Sequence, residues 1–251
     1  MRSLRRASSL LILTVPMFLG CPSLQSQDKA TLMTTEMVSL RVGSLIRVRP
    51  EYEERYLILH KHVFPGVLER IHRSNIRNYS IFLRDGILFS YYEYVGHDYD
   101  ADMKAIGDTV TKEWWKLTDP MQEPLTERKE GEWWATMDPA FDLESTTSPN
   151  VGVERLAFVA QVKDGQEDGV RTLLKTDGTS LVPYLKRGHF ANVHFYLHGA
   201  SLYMYAEYSG ADLTADRALL NNDPGWRDWN RRLLQLLSDP LQEMRPAFHT
   251  N

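Results

Sequence analysis

NYSIFLRDGILFSYYEYVG, residues 78–96, lies without a gap over NVHFYLHGASLYMYAEYSG, residues 192–210, and that overlay decides the fold. Leu83/Leu197, Leu88/Leu202, Tyr91/Tyr205, Glu93/Glu207, Tyr94/Tyr208 and Gly96/Gly210 match. In the first stretch, residues 78–83 and 87–95 are rich in aromatic and β-branched side chains. They flank Arg84, Asp85 and Gly86, the Asp-Gly signal of a hairpin turn. Further matches keep the same order: Asp119, Pro120, Gln122 and Glu123 against Asp239, Pro240, Gln242 and Glu243, then Pro139, Ala140 and Phe141 against Pro246, Ala247 and Phe248. Ordered matches at two scales mark an internal repeat, with the second copy shortened between its last two blocks.

Upstream of the first hairpin, Leu40, Val42, Ser44, Ile46 and Val48 alternate with Arg41, Gly43, Leu45, Arg47 and Arg49, the period of a half-buried strand ending at Pro50. From residue 51 to about 73, Tyr56, His60, Val63, Phe64, Val67 and Ile71 fall on one helical stripe. Residues 109–116 read as a second helix, and residues 133–143 as a closing turn and edge strand around Pro139. The order is βαββαβ, an α+β ferredoxin-like sandwich. After a Ser/Thr/Pro/Asn-rich linker at 145–151, a strand at 156–162 restarts the pattern. Such a unit leaves one sheet face to be covered, and two units face to face form an α+β barrel. A tandem chain can build this pseudo-dimer by itself; a homodimer of first halves is also open. The expected domains are a first ferredoxin-like unit at 37–144 and a degenerate second unit at 152–251.

Composition narrows the function. The chain has 251 residues, 43% hydrophobic, with 29 Lys+Arg against 33 Asp+Glu. That suits a packed globular body and gives no basic face to reward nucleic-acid phosphates. The single cysteine, Cys21, excludes an intramolecular disulfide and a Cys-rich metal site. Arg2, Arg5 and Arg6 precede the uncharged run 7–20, the shape of a secretory signal. At ~1.5 Å per residue that run is short for a ~30 Å hydrocarbon core. Phe18, Leu19, Gly20 and Cys21 resemble a bacterial lipobox, so Cys21 is the expected lipidation site and residues 22–36 a tether. The expectation is an exported lipoprotein facing the periplasm or cell exterior, touching the membrane only through its lipid; ordinary signal cleavage nearby is the alternative.

Tyr56 and His60 stand four apart on a helix, so both project from one face and suit an acid–base pair. Imidazole exchanges protons near neutrality, and a phenol donates a hydrogen bond or relays the proton. A histidine on an apolar stripe is also a common core residue, and spacing alone leaves both readings standing. Trp114 and Trp115 point to different sides of their helix, so at least one is open to a plain packing role, while adjacent tryptophans near a cleft also supply faces on which the C–H surface of a sugar stacks.

Together, Tyr56, His60, Pro65, the run 78–83, Glu93, the Trp114–Trp115 pair, Trp133–Trp134 and the stretch Phe141, Asp142, Leu143 resemble the L-rhamnose mutarotases over about residues 39–145. The resemblance implies a dimeric α+β barrel, interconversion of the α and β anomers of L-rhamnose or a related deoxy sugar, and no cofactor or metal. It makes His60 the acid–base residue and Tyr56, Tyr79, Trp114 and Trp115 the sugar-binding residues. Aligning Pro65 with Pro183 puts Leu174 at the Tyr56 position and Gly178 at the His60 position, and Val193 stands where the first copy has Tyr79. One active pocket per chain is expected. His189, His194 and His198 lack carboxylate or cysteine company in the sequence and read as surface or strand residues. Two rivals remain: a haem or small-molecule monooxygenase-like barrel with His60 as axial ligand, and a non-catalytic carbohydrate-binding lipoprotein.

Overall fold

The computed structural model describes residues 40–143 and 152–251. The signal, Cys21, the tether and the 145–151 linker lie outside the described residues. β1 (Leu40–Val48) leads through a short 3-10 turn into α1 (Glu53–His60) and α2 (Pro65–Arg73). Then come β2 (Ile76–Arg84), β3 (Ile87–Tyr94), α3 (Tyr99–Ala105), α4 (Thr109–Thr118), β4 (Gln122–Glu123), β5 (Ala135–Thr136) and β6 (Asp138–Leu143). The second half holds β7 (Glu154–Gln161), α5 (Glu167–Arg187), β8 (Phe190–His198), β9 (Ser201–Tyr208), α6 (Leu213–Asn222), α7 (Pro224–Leu236), β10 (Gln242–Glu243) and β11 (Arg245–Thr250).

The expected single helix over 51–73 is two. Pro65 has no N–H to give an upstream carbonyl, so the chain breaks after His60 and restarts with Pro65 in the first turn of α2. The turn between β2 and β3 is as expected, with Asp85 at φ 49° and Gly86 at φ 72°, the left-handed pair of a two-residue hairpin. The repeat shows in the ladders: β1 pairs β3 from Leu40↔Tyr94 onward, and β7 pairs β9 from Glu154↔Tyr208 onward. Each hairpin carries an irregularity at the same place, where Asn78 (φ 50°) and Asn192 (φ 45°) take the left-handed conformation that asparagine tolerates. Gly96 and Gly210 are matched for a reason: a Cβ on either would collide with the hydroxyl of Tyr94 or Tyr208, each of which donates to a helix carboxylate, Asp102 or Asp216, at 2.6 Å.

Two antiparallel sheets result, ordered β11-β2-β3-β1-β4, with β5 also on β1, and β10-β7-β9-β8-β6. The closing strands are exchanged. β6 was expected at the edge of its own unit, yet it pairs with β8 of the second sheet, and β11 pairs with β2 of the first. Boundaries in sequence are therefore not boundaries in space, and all the described residues fall in one compact unit.

Alternation along each strand gives each sheet two apolar faces. One set, including Leu45, Phe82, Phe89, Tyr91, Tyr196, Tyr203 and Tyr205, packs sheet against sheet. The opposite face of the first sheet, with Ile46, Val48, Ile81 and Leu88, packs on α1, and that of the second, with Leu156, Ala160, Phe195 and Leu202, lies under α5 and α7. Several polar groups buried between the sheets are paired, although the Tyr196 hydroxyl has no partner among the described residues. Asn78 Nδ2 donates to Glu93 Oε1 at 3.1 Å and Glu207 Oε1 at 2.6 Å, while Tyr91 and Tyr205 donate to those same two carboxylates. Arg155 Nε donates to Asn78 Oδ1 at 2.8 Å, so the amide is used at both ends. Among the described residues no helix is long and apolar enough to cross a membrane.

Candidate active site

The first sheet's helical face and helices α1, α2 and α4 enclose a cavity of about 490 Å³. Tyr56 and His60 come from α1, Tyr79 from β2, and Trp114 and Trp115 from α4; all five residues singled out in the sequence line it. Asp108 caps α4 by accepting from the Thr111 amide at 2.8 Å, which fixes the first turn of the helix that carries the tryptophans. The two tryptophans share the work unequally: Trp114 is buried at 5% exposure and Trp115 is 36% exposed at the rim.

His60 is held tightly. Its Nδ1 lies 2.9 Å from the Tyr56 carbonyl oxygen, which can only accept, so Nδ1 carries the proton. In the neutral ring Nε2 then carries the lone pair. Burial lowers the imidazole to about 4, the carbonyl contact opposing this only in part. The ring is neutral at pH 7. Tyr56 stacks on it with centroids 3.9 Å apart, and Trp114 and Phe248 meet it edge-on at 5.2 and 5.9 Å.

Tyr56 is fully buried, and desolvation raises its phenol well above the ordinary range; burial pushes Tyr79 to about 12. Both are neutral hydrogen-bonding groups. Gln122 Nε2 donates to Tyr56 Oη at 3.4 Å, and Trp133 Nε1 donates to Gln122 Oε1 at 3.1 Å, which orients the amide. Because the phenol oxygen already accepts, its proton is free for a ligand oxygen. Asp119, at the end of α4, also lines the cavity, and burial raises its carboxyl.

Gln122, Asp119 and Phe248 were visible only as repeat matches, with no local pattern marking them as site residues. Phe248 belongs to the exchanged strand β11, so the second half helps wall the first half's site. The corresponding place in the second half is closed. A Cβ on Gly178 would enter the Phe141 ring, so the His60 position there has no room for imidazole. The histidines of that half are surface or strand residues as read, His189 exposed after α5 and His194 and His198 on β8, but two of them do have carboxylate company: His194 is fully buried with Nδ1 3.0 Å from Asp142 Oδ1, and His189 Nδ1 lies 2.8 Å from Asp216 Oδ2. These carboxylates are distant in sequence, which hid them. Among the described residues no group of three or more His, Cys, Asp or Glu side chains is placed to hold a metal ion.

A family model described as L-rhamnose mutarotase matches residues 41–143. A UPF0734 protein of Dictyostelium discoideum is 34% identical over 101 residues, covering 38% of this chain and 80% of that protein. Among solved structures, a monooxygenase-like protein of Fusobacterium nucleatum superposes with a TM-score of 0.52 at 13% identity, covering 86% of this chain and 96% of its own. Another, from Lactobacillus acidophilus, has a TM-score of 0.52 at 7% identity, with 84% and 96% covered. At these identities the structural likeness is one of fold, the ferredoxin-like α+β fold read from the repeat.

Proposed function

Since the chain belongs, through residues 41–143, to the L-rhamnose mutarotase family, we propose that it is an aldose mutarotase exchanging the α and β anomers of L-rhamnose or a related deoxy sugar. The observation that carries this reading is the fixed tautomer of His60: a neutral imidazole with its Nε2 lone pair uncommitted, in a cavity walled by tyrosines and tryptophans.

Mutarotation needs a proton removed from the anomeric hydroxyl and one delivered to the ring oxygen as the bond between C1 and that oxygen breaks. The aldehyde then turns, and the ring closes on the other face. Both oxygens sit on C1, so one imidazole reaches both: Nε2 takes the hydroxyl proton and returns it to the ring oxygen, with no net proton change. The Tyr56 hydroxyl donates to whichever oxygen holds charge at that moment. Trp114 and Trp115 offer apolar faces to the sugar's C–H surface, and Tyr79 and Asp119 offer groups for its hydroxyls. A base near pKa 4 is weaker than one tuned to neutrality, but mutarotation proceeds unaided in water and asks for a modest barrier reduction. The export address expected from residues 1–21 would place this activity outside the cytoplasm.

Saturation-transfer NMR of L-rhamnose, beside a panel of other aldoses, tests the reading. Anomer exchange should accelerate over a buffer blank and return to the blank with His60→Ala. Exchange that stays at the blank rate for every aldose, with folded wild-type protein, would overturn it.

A further inference from the structure

The sheet that floors the His60 cavity carries two hydroxyls with no part in the proton transfers. Ser44 of β1 and Ser90 of β3 stand directly opposite each other in the ladder, both buried, with their Oγ atoms 2.7 Å apart. Both line the cavity. Strand alternation turns their side chains toward the helices, because their neighbours Leu45 and Phe89 point the other way and pack between the sheets. Only one of the two hydroxyl protons lies in the bond between them, and each oxygen keeps a lone pair to spare, so the pair still offers a donor and acceptors to a ligand.

Comparison of the halves shows that the fold does not require hydroxyls here. Paired residues run across the first sheet as Phe248, Ile81, Ser90 and Ser44, on β11, β2, β3 and β1. The matching row of the second sheet is Phe141, Phe195, Met204 and Phe158, on β6, β8, β9 and β7. Ser90 and Ser44 thus stand where the second half has Met204 and Phe158, and those two apolar side chains line a smaller cavity of about 320 Å³. Hydroxyls buried on a sheet face cost free energy unless hydrogen bonds offset it, and one bond shared by two hydroxyls offsets only part. The row also sets the distance. Phe248 meets His60 edge-on, and Ser90 lies two strands farther along, about 10 Å at the usual strand spacing. A sugar with its anomeric carbon at His60 therefore turns its remote ring hydroxyls toward the serines.

We propose that the Ser44–Ser90 pair is a specificity subsite that hydrogen-bonds the sugar's hydroxyl at C3 or C4. A site built to bond a substrate hydroxyl discriminates against the analogue lacking it, because its own buried polar groups are then left unpaired. This role rests on the sugar reading of the His60 cavity but needs no turnover there.

The test is calorimetric titration of the full chain with L-rhamnose and its 3-deoxy and 4-deoxy forms, for wild type and for the double variant Ser44→Ala, Ser90→Ala. Removing both hydroxyls together leaves neither one buried without its partner, so the double variant should keep the fold. It should bind L-rhamnose about tenfold more weakly than wild type does. Wild type should lose a similar factor with one of the two deoxy sugars, and the double variant should bind that sugar and L-rhamnose alike. Such coupling between a protein hydroxyl and a sugar hydroxyl does not arise from a purely structural role. Equal affinity of the two proteins for L-rhamnose, strictly additive losses from the protein and sugar deletions, or no saturable binding of L-rhamnose to wild type would each overturn the proposal. Coupled binding without any accelerated anomer exchange would support the subsite while overturning the mutarotase reading.

Discussion

Tyr91 and Tyr205 hold the same place in the two halves, and their rings stack on each other with centroids 3.7 Å apart and planes 11° from parallel. Each donates to the glutamate two residues on, and Asn78 joins the two carboxylates. Matched residues thus meet where the sheets face each other, so the chain supplies both sides of its own barrel. Tyr205→Ala should cost about 3–5 kcal/mol, the range for deleting a buried aromatic side chain. Tyr205→Phe, which keeps the stack and loses the hydroxyl's bonds to Glu207 and Asn78, should cost about 1–3 kcal/mol. Urea unfolding of the two variants would check the order; equal losses would refute the division between stacking and hydrogen bonding.

Phe248 meets His60 edge-on and is half-buried, though it lies near the far end of the chain. Its strand, β11, covers the β2 edge of the first sheet. Phe248→Ala should raise the KM for anomer exchange severalfold and destabilise the fold by less than the ~3–5 kcal/mol of a fully buried phenylalanine. A chain ending at residue 143 loses both β11 and the opposing sheet, so it should fail to fold as a monomer. Exchange kinetics and circular dichroism check the two expectations.

His60 ties the site to pH. Its pKa falls from 6.5 unfolded to about 4 folded, so between those values the unfolded state binds more protons and stability rises with pH. The contribution is complete above about pH 6.5 and is lost as pH falls toward 4, a difference on the order of 3 kcal/mol. Anomer exchange should follow the folded value, flat near neutrality and falling as pH passes through about 4. Melting temperatures from pH 4 to 8 should show a weaker slope for His60→Ala than for wild type; parallel slopes would assign the pH dependence to other groups.

The β2–β3 hairpin was legible because its signals are local: alternating aromatic and β-branched residues around Asp85 and Gly86. Tyr56 and His60 were legible because four residues of helix place them on one face, and the break before Pro65 lies beyond both. The strand exchange was not legible. Pro139 and Pro246 announce edge strands, but which sheet each one edges depends on how the two halves pack, and nothing within either segment encodes that. Gln122 is a site residue only because Trp133 holds its amide toward Tyr56, a relation that requires β4 and the segment before β5 to have been brought together. Asp142 is likewise invisible as His194's partner until β6 crosses to β8.

Gly178 gives the sharpest test of why one half has the imidazole and the other does not. It sits in α5 at the position that aligns with His60, and Phe141 of the exchanged strand β6 fills the space a side chain would need. In the first half the matching phenylalanine, Phe248, stands back from an imidazole instead. Gly178→His should therefore create no second catalytic pocket. It should destabilise the protein by about 1–3 kcal/mol or more, since helix propensity gained over glycine is smaller than the cost of overpacking. Adding Phe141→Ala should recover part of that loss by making room, and the double variant should be more stable than the sum of the single effects. Urea unfolding of the four proteins completes the cycle. Strict additivity would show that Phe141 is not what keeps the position small.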